Sequence, residues 1–367
     1  MRTNGLRRRI ALTVVLSVLL AADSSRTAVE AQPTGDLNAR LNRLDASLEL
    51  LRRGYAIPGL SAAVLQNRRV VWEKGYGFED MELDRPATPD TPYRIASLTK
   101  TFTSVLLLQC VEQARLDLDD PIRRYSSGIP ESGATVRHVL THTSEQTPGQ
   151  VFRYNGDRYV ELTPVVEACT GLPYRVALAK RILDPLAMRD SVPGQDLENP
   201  SPTLRALFDP GSLERYQSVL ARLAKPYSRA NPFQVQPSEY PPAGINASAG
   251  LVSTVRDLAS YDSGLDEHLL LAKETQEAAW TPAVSPGGGA FPYGLGWFVQ
   301  QYRGEKVVWH FGDWPGSFSS LIIKVPARNL SLILLANSDG LSEPFPMASG
   351  DVTASAFATL FLQLFLQ

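Results

Sequence analysis

Ser97 and Lys100 stand three residues apart at the head of an apolar run, residues 101–116. If that run is helical, positions i and i+3 share a face one turn apart, so a hydroxyl meets an amine. A serine hydroxyl is a weak nucleophile until a base takes its proton. A lysine kept neutral by burial and by cationic neighbours can be that base. Free N–H groups at the helix start add a means of stabilising an oxyanion beside the serine. Alone the pair says little, because a capping serine followed by a solvated lysine looks the same. Two further clusters add weight. Residues Pro148-Gly149-Gln150-Val151-Phe152-Arg153-Tyr154 set a tyrosine after a Pro-Gly turn. Residues Trp309-His310-Phe311-Gly312-Asp313-Trp314-Pro315-Gly316 end one apolar run and lead into the next.

The elements that must position these residues follow from periodicity. Leu37, Leu41, Leu44, Leu48 and Leu51 recur at alternating spacings of four and three, one helical face, with Asp36 able to cap it and Gly54 to stop it. Residues 61–65 and 69–72 read as strands joined through Gln66-Asn67-Arg68, with Gly75 and Gly77 ending the ladder. The middle of the chain, to about residue 240, is helical or irregular. Strands return as 293–302, 306–311, 318–325 and 330–337, separated by turn residues in the pattern of an antiparallel meander. Residues 354–367 form a last apolar helix. The economical architecture is α+β: one antiparallel sheet built from both chain ends and flanked by helices, with a mainly helical insertion. The sheet lobe spans about 36–95 and 245–367 and the helical lobe about 96–244, a single domain over 32–367.

Composition narrows the function classes. The 367 residues are 44% apolar and 20% charged, which excludes disordered and fibrous types. Thirty-six basic residues against 38 acidic ones lack the excess of a generic nucleic-acid binder. Arg7-Arg8-Arg9, the apolar run 10–22 and Val29-Glu30-Ala31 have the form of an export signal, residues 1–31, too short to span a bilayer. Its removal takes five arginines and two acids and leaves a net charge of −5. The expected location is periplasmic or secreted.

In order, Ser-x-x-Lys, Tyr and His-x-Gly resemble the serine β-lactamase and penicillin-binding-protein superfamily. The nearest likeness is to class C β-lactamases, D-alanyl-D-alanine carboxypeptidases and β-lactamase-like esterases. The flanking text from about Leu37 onward shares it, including Leu118-Asp119-Asp120-Pro121, residues 135–144, Ala243-Gly244, Asp257-Leu258-Ala259 and Tyr293-Gly294-Leu295-Gly296-Trp297. The resemblance implies the β-lactamase/transpeptidase-like fold and an acyl-enzyme. Ser97 would be the nucleophile, Lys100 its activator, and Tyr154 the relay to the leaving group and activator of water. His310 would replace the family's third-motif lysine, orienting a substrate carboxylate or the Tyr154 proton. The backbone N–H groups of Ser97 and Asp313 would form the oxyanion hole, and Asn155, Gly156 and Gly312 would meet substrate. Three departures weigh against a dedicated β-lactamase. Gly156 stands where Tyr-x-Asn would supply an amide, the 144–148 loop is short, and His310 is not lysine.

Other readings are weaker. His138 and His142 are spaced for zinc, but Val139 follows where a zincin has Glu, so they read as structural. Asn246-Ala247-Ser248-Ala249-Gly250 lacks the first glycine of a nucleophile elbow. Cys110 and Cys169 read as two buried thiols rather than a disulfide. The expectation is therefore an exported serine acyl-hydrolase acting on small esters, amides or peptides. It would be a monomer with no cofactor, no metal, no nucleic-acid partner and no membrane span after signal removal. The alternative is a penicillin-recognising or structural relative with little turnover.

Overall fold

Strands Gly59–Gln66 (β1), Phe318–Val325 (β10) and Leu330–Ala336 (β11) carry almost no polar alternation, and nearly every side chain in them is buried. Such strands need cover on both faces, and they lie at the centre of the sheet. The computed structural model describes residues 34–231 and 234–366. The chain divides into two compact units, 1–39 and 40–367, and the described residues of the first, 34–39, form the opening turns of helix α1 (Thr34–Gly54). The expected export signal lies outside the described residues.

In the larger unit, β2 (Arg69–Asp80) and β3 (Arg85–Pro86) follow β1. The short strands β4 (Tyr93–Arg94), β5 (Tyr227–Asn231), β6 (Gln234–Pro237) and β7 (Val252–Ser253) lie between the two halves of the main sheet. Then come β8 (Phe298–Tyr302) and β9 (Glu305–Trp314), before β10 and β11. The main sheet runs β3-β2-β1-β11-β10-β9-β8, all antiparallel, so both chain ends build it. Helix Val255–Asp266 packs on β1 and β11. Between them Lys324, from β10, reaches Asp262 and Asp266 at 2.5 and 3.0 Å.

Several boundaries differ from the sequence reading, each for a physical reason. Gly75 and Gly77 do not end β2. A side chain there would strike the backbone of Ala87 or Pro58, so these glycines let neighbouring chains approach a strand that continues. Helix α2 (Thr99–Glu112) stops before residue 116, where Ala114 turns left-handed at φ 54°. Residues 293–297 are not continuous strand: Gly296, at φ 88°, turns the chain ahead of β8, and Tyr293 pairs back on Phe298 as an isolated bridge. The β5–β6 hairpin has no counterpart in the sequence reading. Cys110 and Cys169 are also not free thiols but form a disulfide with Cα atoms 6.0 Å apart. It ties α2 to helix α5 (Thr163–Thr170), and two cysteines 59 positions apart carry no signal that those helices are neighbours.

Candidate active site

Ser97 does not begin α2 but lies in the 3-10 turn Ala96–Leu98 that feeds it. Ala96 before it holds φ 48°, an uncommon state for a residue with a side chain, and such local strain gathers at functional sites. The turn's first hydrogen bonds run from Leu98 N–H to Ile95 O and from Thr99 N–H to Ala96 O. The Ser97 N–H precedes them and stays clear of the helix ladder. Facing this turn is β9. Its residues 305–309 pair with β8, while 310–314 pair with β10 alone, so the Asp313 backbone lies on an open strand edge. Gly312 explains the close approach. A Cβ there would sit 2.2 Å from the Ile95 carbonyl and 2.3 Å from Ser320 Oγ, and Ser320 Oγ donates to that carbonyl at 2.8 Å. The two expected oxyanion donors thus belong to two backbones that a glycine brings together.

Lys100, the second residue of α2, is wholly buried, while Ser97 remains partly exposed. Lys100 Nζ lies 2.8 Å from Ser97 Oγ, 2.8 Å from Ser248 Oγ and 3.1 Å from Ser248 O. Among the described residues no carboxylate forms an ion pair with it. Burial lowers its pKa to about 7, against a longer-range pull from Asp157 that raises it. The sequence placed Ser97 and Lys100 together through helical spacing. Ser248 carries no such local signal, because only the tertiary fold brings its loop to α2.

Behind the lysine is an aromatic nest. The Tyr154 and Tyr159 rings lie 5.3 Å from Lys100 Nζ. His142, Phe298 and Phe311 surround Tyr154 at 4.5, 5.4 and 5.4 Å between ring centres. The Tyr154 hydroxyl is buried beside Ser97 but has no partner in good hydrogen-bond geometry. Burial raises its pKa, so near neutral pH it holds its proton.

His310 is also in the nest, and its surroundings bear on the role the resemblance implies. Its Nδ1 lies 2.7 Å from the Phe311 carbonyl, which can only accept, so Nδ1 carries the hydrogen. Nε2 lies 2.9 Å from the Tyr293 hydroxyl. Burial lowers the His310 pKa to about 3, so the ring is neutral and Nε2 accepts from Tyr293. A fully buried neutral ring with both nitrogens engaged offers no cation to a carboxylate. Beside it, burial and the charges of Asp339 and Glu343 raise Asp313 to about 7.

Asn155 is half-buried, and its side chain is engaged within the protein. Its Oδ1 caps helix α4 (Gly156–Tyr159) by accepting from Asp157 and Arg158 N–H, and its Nδ2 donates to Glu145 at 2.8 Å. His142 accepts the Asn155 N–H on Nδ1 at 3.2 Å and is packed among rings, while His138 helps cap helix Val136–Leu140. Both histidines are thus used structurally. A cavity of about 550 Å³ opens elsewhere, between Pro148, His138 and Leu295, and neither Ser97 nor Lys100 lines it.

A family model described as Beta-lactamase matches residues 42–353, and the chain belongs to that family. It is 22% identical to penicillin-binding protein 4* of Bacillus subtilis (strain 168) over 308 residues, 74% of this chain and 66% of that protein. The chain spans less than two thirds of the length of the curated relatives it matches. Among solved structures, the octameric penicillin-binding protein homologue from Pyrococcus abyssi matches with a TM-score of 0.70 and 26% identity, covering 82% of this chain and 74% of that one. The D-amino acid amidase from Ochrobactrum anthropi SV3 matches with a TM-score of 0.67 and 22% identity, over 88% and 98%. The latter is a likeness of fold.

Proposed function

We propose that the protein is an exported serine acyl-hydrolase that works through a Ser97 acyl-enzyme and prefers small uncharged esters. The observation that carries the chemistry is Lys100: fully buried, without an ion-pair partner among the described residues, and 2.8 Å from a partly exposed serine hydroxyl. Near pH 7 a substantial fraction of it is neutral amine. That amine takes the Ser97 proton as Oγ attacks the acyl carbon, and the Ser97 and Asp313 N–H groups receive the oxyanion. The proton then passes from Lys100 to the leaving oxygen, with Tyr154, a neutral phenol, as the adjacent donor. Lys100 is again a free base. It takes a proton from water, which attacks the ester carbonyl, and Ser97 leaves with that proton.

The preference for uncharged esters rests on the neighbourhood of the oxyanion donors. The resemblance implies a cation for a substrate carboxylate, yet His310 is neutral and Asp313 adds a carboxyl group. Penicillins, cephalosporins and D-Ala-D-Ala peptides all carry a carboxylate. Export is supported by the Cys110–Cys169 disulfide, since such bonds persist in oxidising compartments. No helix among the described residues is long and apolar enough to cross a membrane. A monomer acting on a small-molecule substrate, with no cofactor, suffices for this chemistry. Hydrolysis of p-nitrophenyl acetate and butyrate, nitrocefin and a D-Ala-D-Ala peptide, run in parallel, tests the reading. The esters should show the highest kcat/KM, and faster nitrocefin turnover would overturn the preference.

A further inference from the structure

A neutral primary amine has two N–H donors and one lone pair, and it can act as a base only toward the atom its lone pair faces. Around Lys100 Nζ three oxygens compete: Ser97 Oγ, Ser248 Oγ and Ser248 O. The carbonyl can only accept. If Ser248 Oγ also accepts, both N–H groups are committed to residue 248 and the lone pair is left facing Ser97. We infer that Ser248 is a positioning residue whose hydroxyl and carbonyl together orient the Lys100 amine toward Ser97. This rests on the acyl-hydrolase reading above.

The loop around Ser248 is built to hold it there. Asn246 Oδ1 accepts from the N–H groups of Ser248 and Ala249 at 2.8 and 3.2 Å, and Asn246 N–H donates to Ala249 O at 3.0 Å. Thr103, one turn along α2 from Lys100, donates to Ala247 O at 2.7 Å, and Ala247 N–H donates to Thr163 Oγ1 at 3.0 Å. Gly250 has φ 118° where a Cβ would strike Gly244 O, so the loop leaves by a path glycine allows. Gly156 is the other half of the arrangement. A Cβ there would lie 3.2 Å from Ser248 Oγ and 3.6 Å from Lys100 Nζ, so the bare glycine gives the hydroxyl its room. An asparagine at 156 would compete for this space rather than only reach a substrate. The groups facing Lys100 that carry protons or charge are Asp157 from α4, Tyr154 and Tyr159, His142 and His310.

The test uses the rate of Ser97 inactivation by a fluorophosphonate, followed by intact mass from pH 5 to 9. This needs no substrate identity. Ser248→Ala removes one acceptor from the ammonium and one from the amine. The plateau rate should fall about tenfold, and the acid limb should move down by about half a pH unit, because the cation loses a hydrogen bond. Ser248→Thr, which keeps the hydroxyl, should hold the plateau within about threefold of wild type and leave the limb where it is in wild type. Gly156→Ala should give an intermediate loss. Thermal melts identify any variant that fails to fold, and for such a variant the limb position in the surviving fraction decides. An unmoved limb with a plateau within twofold in Ser248→Ala overturns the inference, as does a Ser248→Thr protein that melts normally but falls as far as Ser248→Ala. Wild type that takes no label at Ser97 would instead defeat the hydrolase reading itself.

Discussion

Lys100 and Lys324 are the same residue type with nearly the same burial, in two regions that use it in opposite ways. Lys324, on β10, sits between Asp262 and Asp266 at 2.5 and 3.0 Å, with Ser331 and the Trp280 ring nearby. It is a cation matched by carboxylates, pinning helix Val255–Asp266 to the sheet. Among the described residues Lys100 meets only hydroxyls, a carbonyl and aromatic rings at close range, and desolvation then favours its neutral form. Burial alone does not make a lysine a base. What matters is whether the fold supplies a carboxylate.

The largest effects should fall on activity at Lys100 and Ser97. Ser97→Ala should abolish hydrolysis, and Lys100→Met should lower kcat by roughly 10³–10⁴-fold. If both act on one proton transfer, as proposed, the double variant should be little worse than either, and additive losses would sever the two roles. Stability should show the reverse pattern. Lys324→Met leaves Asp262 buried without its partner and should cost about 3–5 kcal/mol, whereas Lys100→Met should melt at or above wild type at pH 7. Chemical denaturation of both variants checks the contrast, and equal destabilisation would erase it.

Next in size is the disulfide. Reduction, or a Cys110→Ser/Cys169→Ser double variant, should lower stability by about 2–4 kcal/mol, since the loop it closes is long. Activity at 25 °C should survive. Smaller is a pH effect on stability. The folded chain holds Lys100 near 7, below its unfolded value of 10.5, so from pH 7 to 10 the unfolded state binds more protons. Wild type should therefore gain stability relative to Lys100→Met as pH rises through that window, by up to about 1.4 kcal/mol per unit. A gap between the two that stays constant with pH would mean Lys100 is charged in the fold. The smallest effect concerns Asp313. As pH passes about 7 its carboxyl ionises, so discrimination against carboxylate-bearing esters should grow. Asp313→Asn should flatten that trend, read from kcat/KM on a matched pair of neutral and anionic esters.

Much of this was legible in the sequence where the signal is local. Helical spacing joined Ser97 to Lys100, short apolar runs between turn residues marked β10 and β11 almost to the residue, and the ordered motifs pointed to the fold. What was hidden depends on contacts made across the chain. Ser248 reaches Lys100 from 148 positions away, and Tyr293 occupies the His310 nitrogen from a segment that reads as strand. Gly75 and Gly77 read as stops, yet each marks a place where another backbone comes close, as Gly312 does beside Ile95. The neutral state of His310 follows from burial, which a motif does not encode.

The proposed chemistry stands or falls with Lys100 as a neutral base acting on Ser97. Peptide mapping after fluorophosphonate treatment, with the inactivation rate followed across pH, tests it most directly. One adduct per chain is expected, on Ser97, forming at a rate that rises through an inflection near pH 7 and vanishes in Lys100→Met. An unlabelled folded protein, an adduct on another serine, or a rate flat between pH 6 and 8 would contradict it.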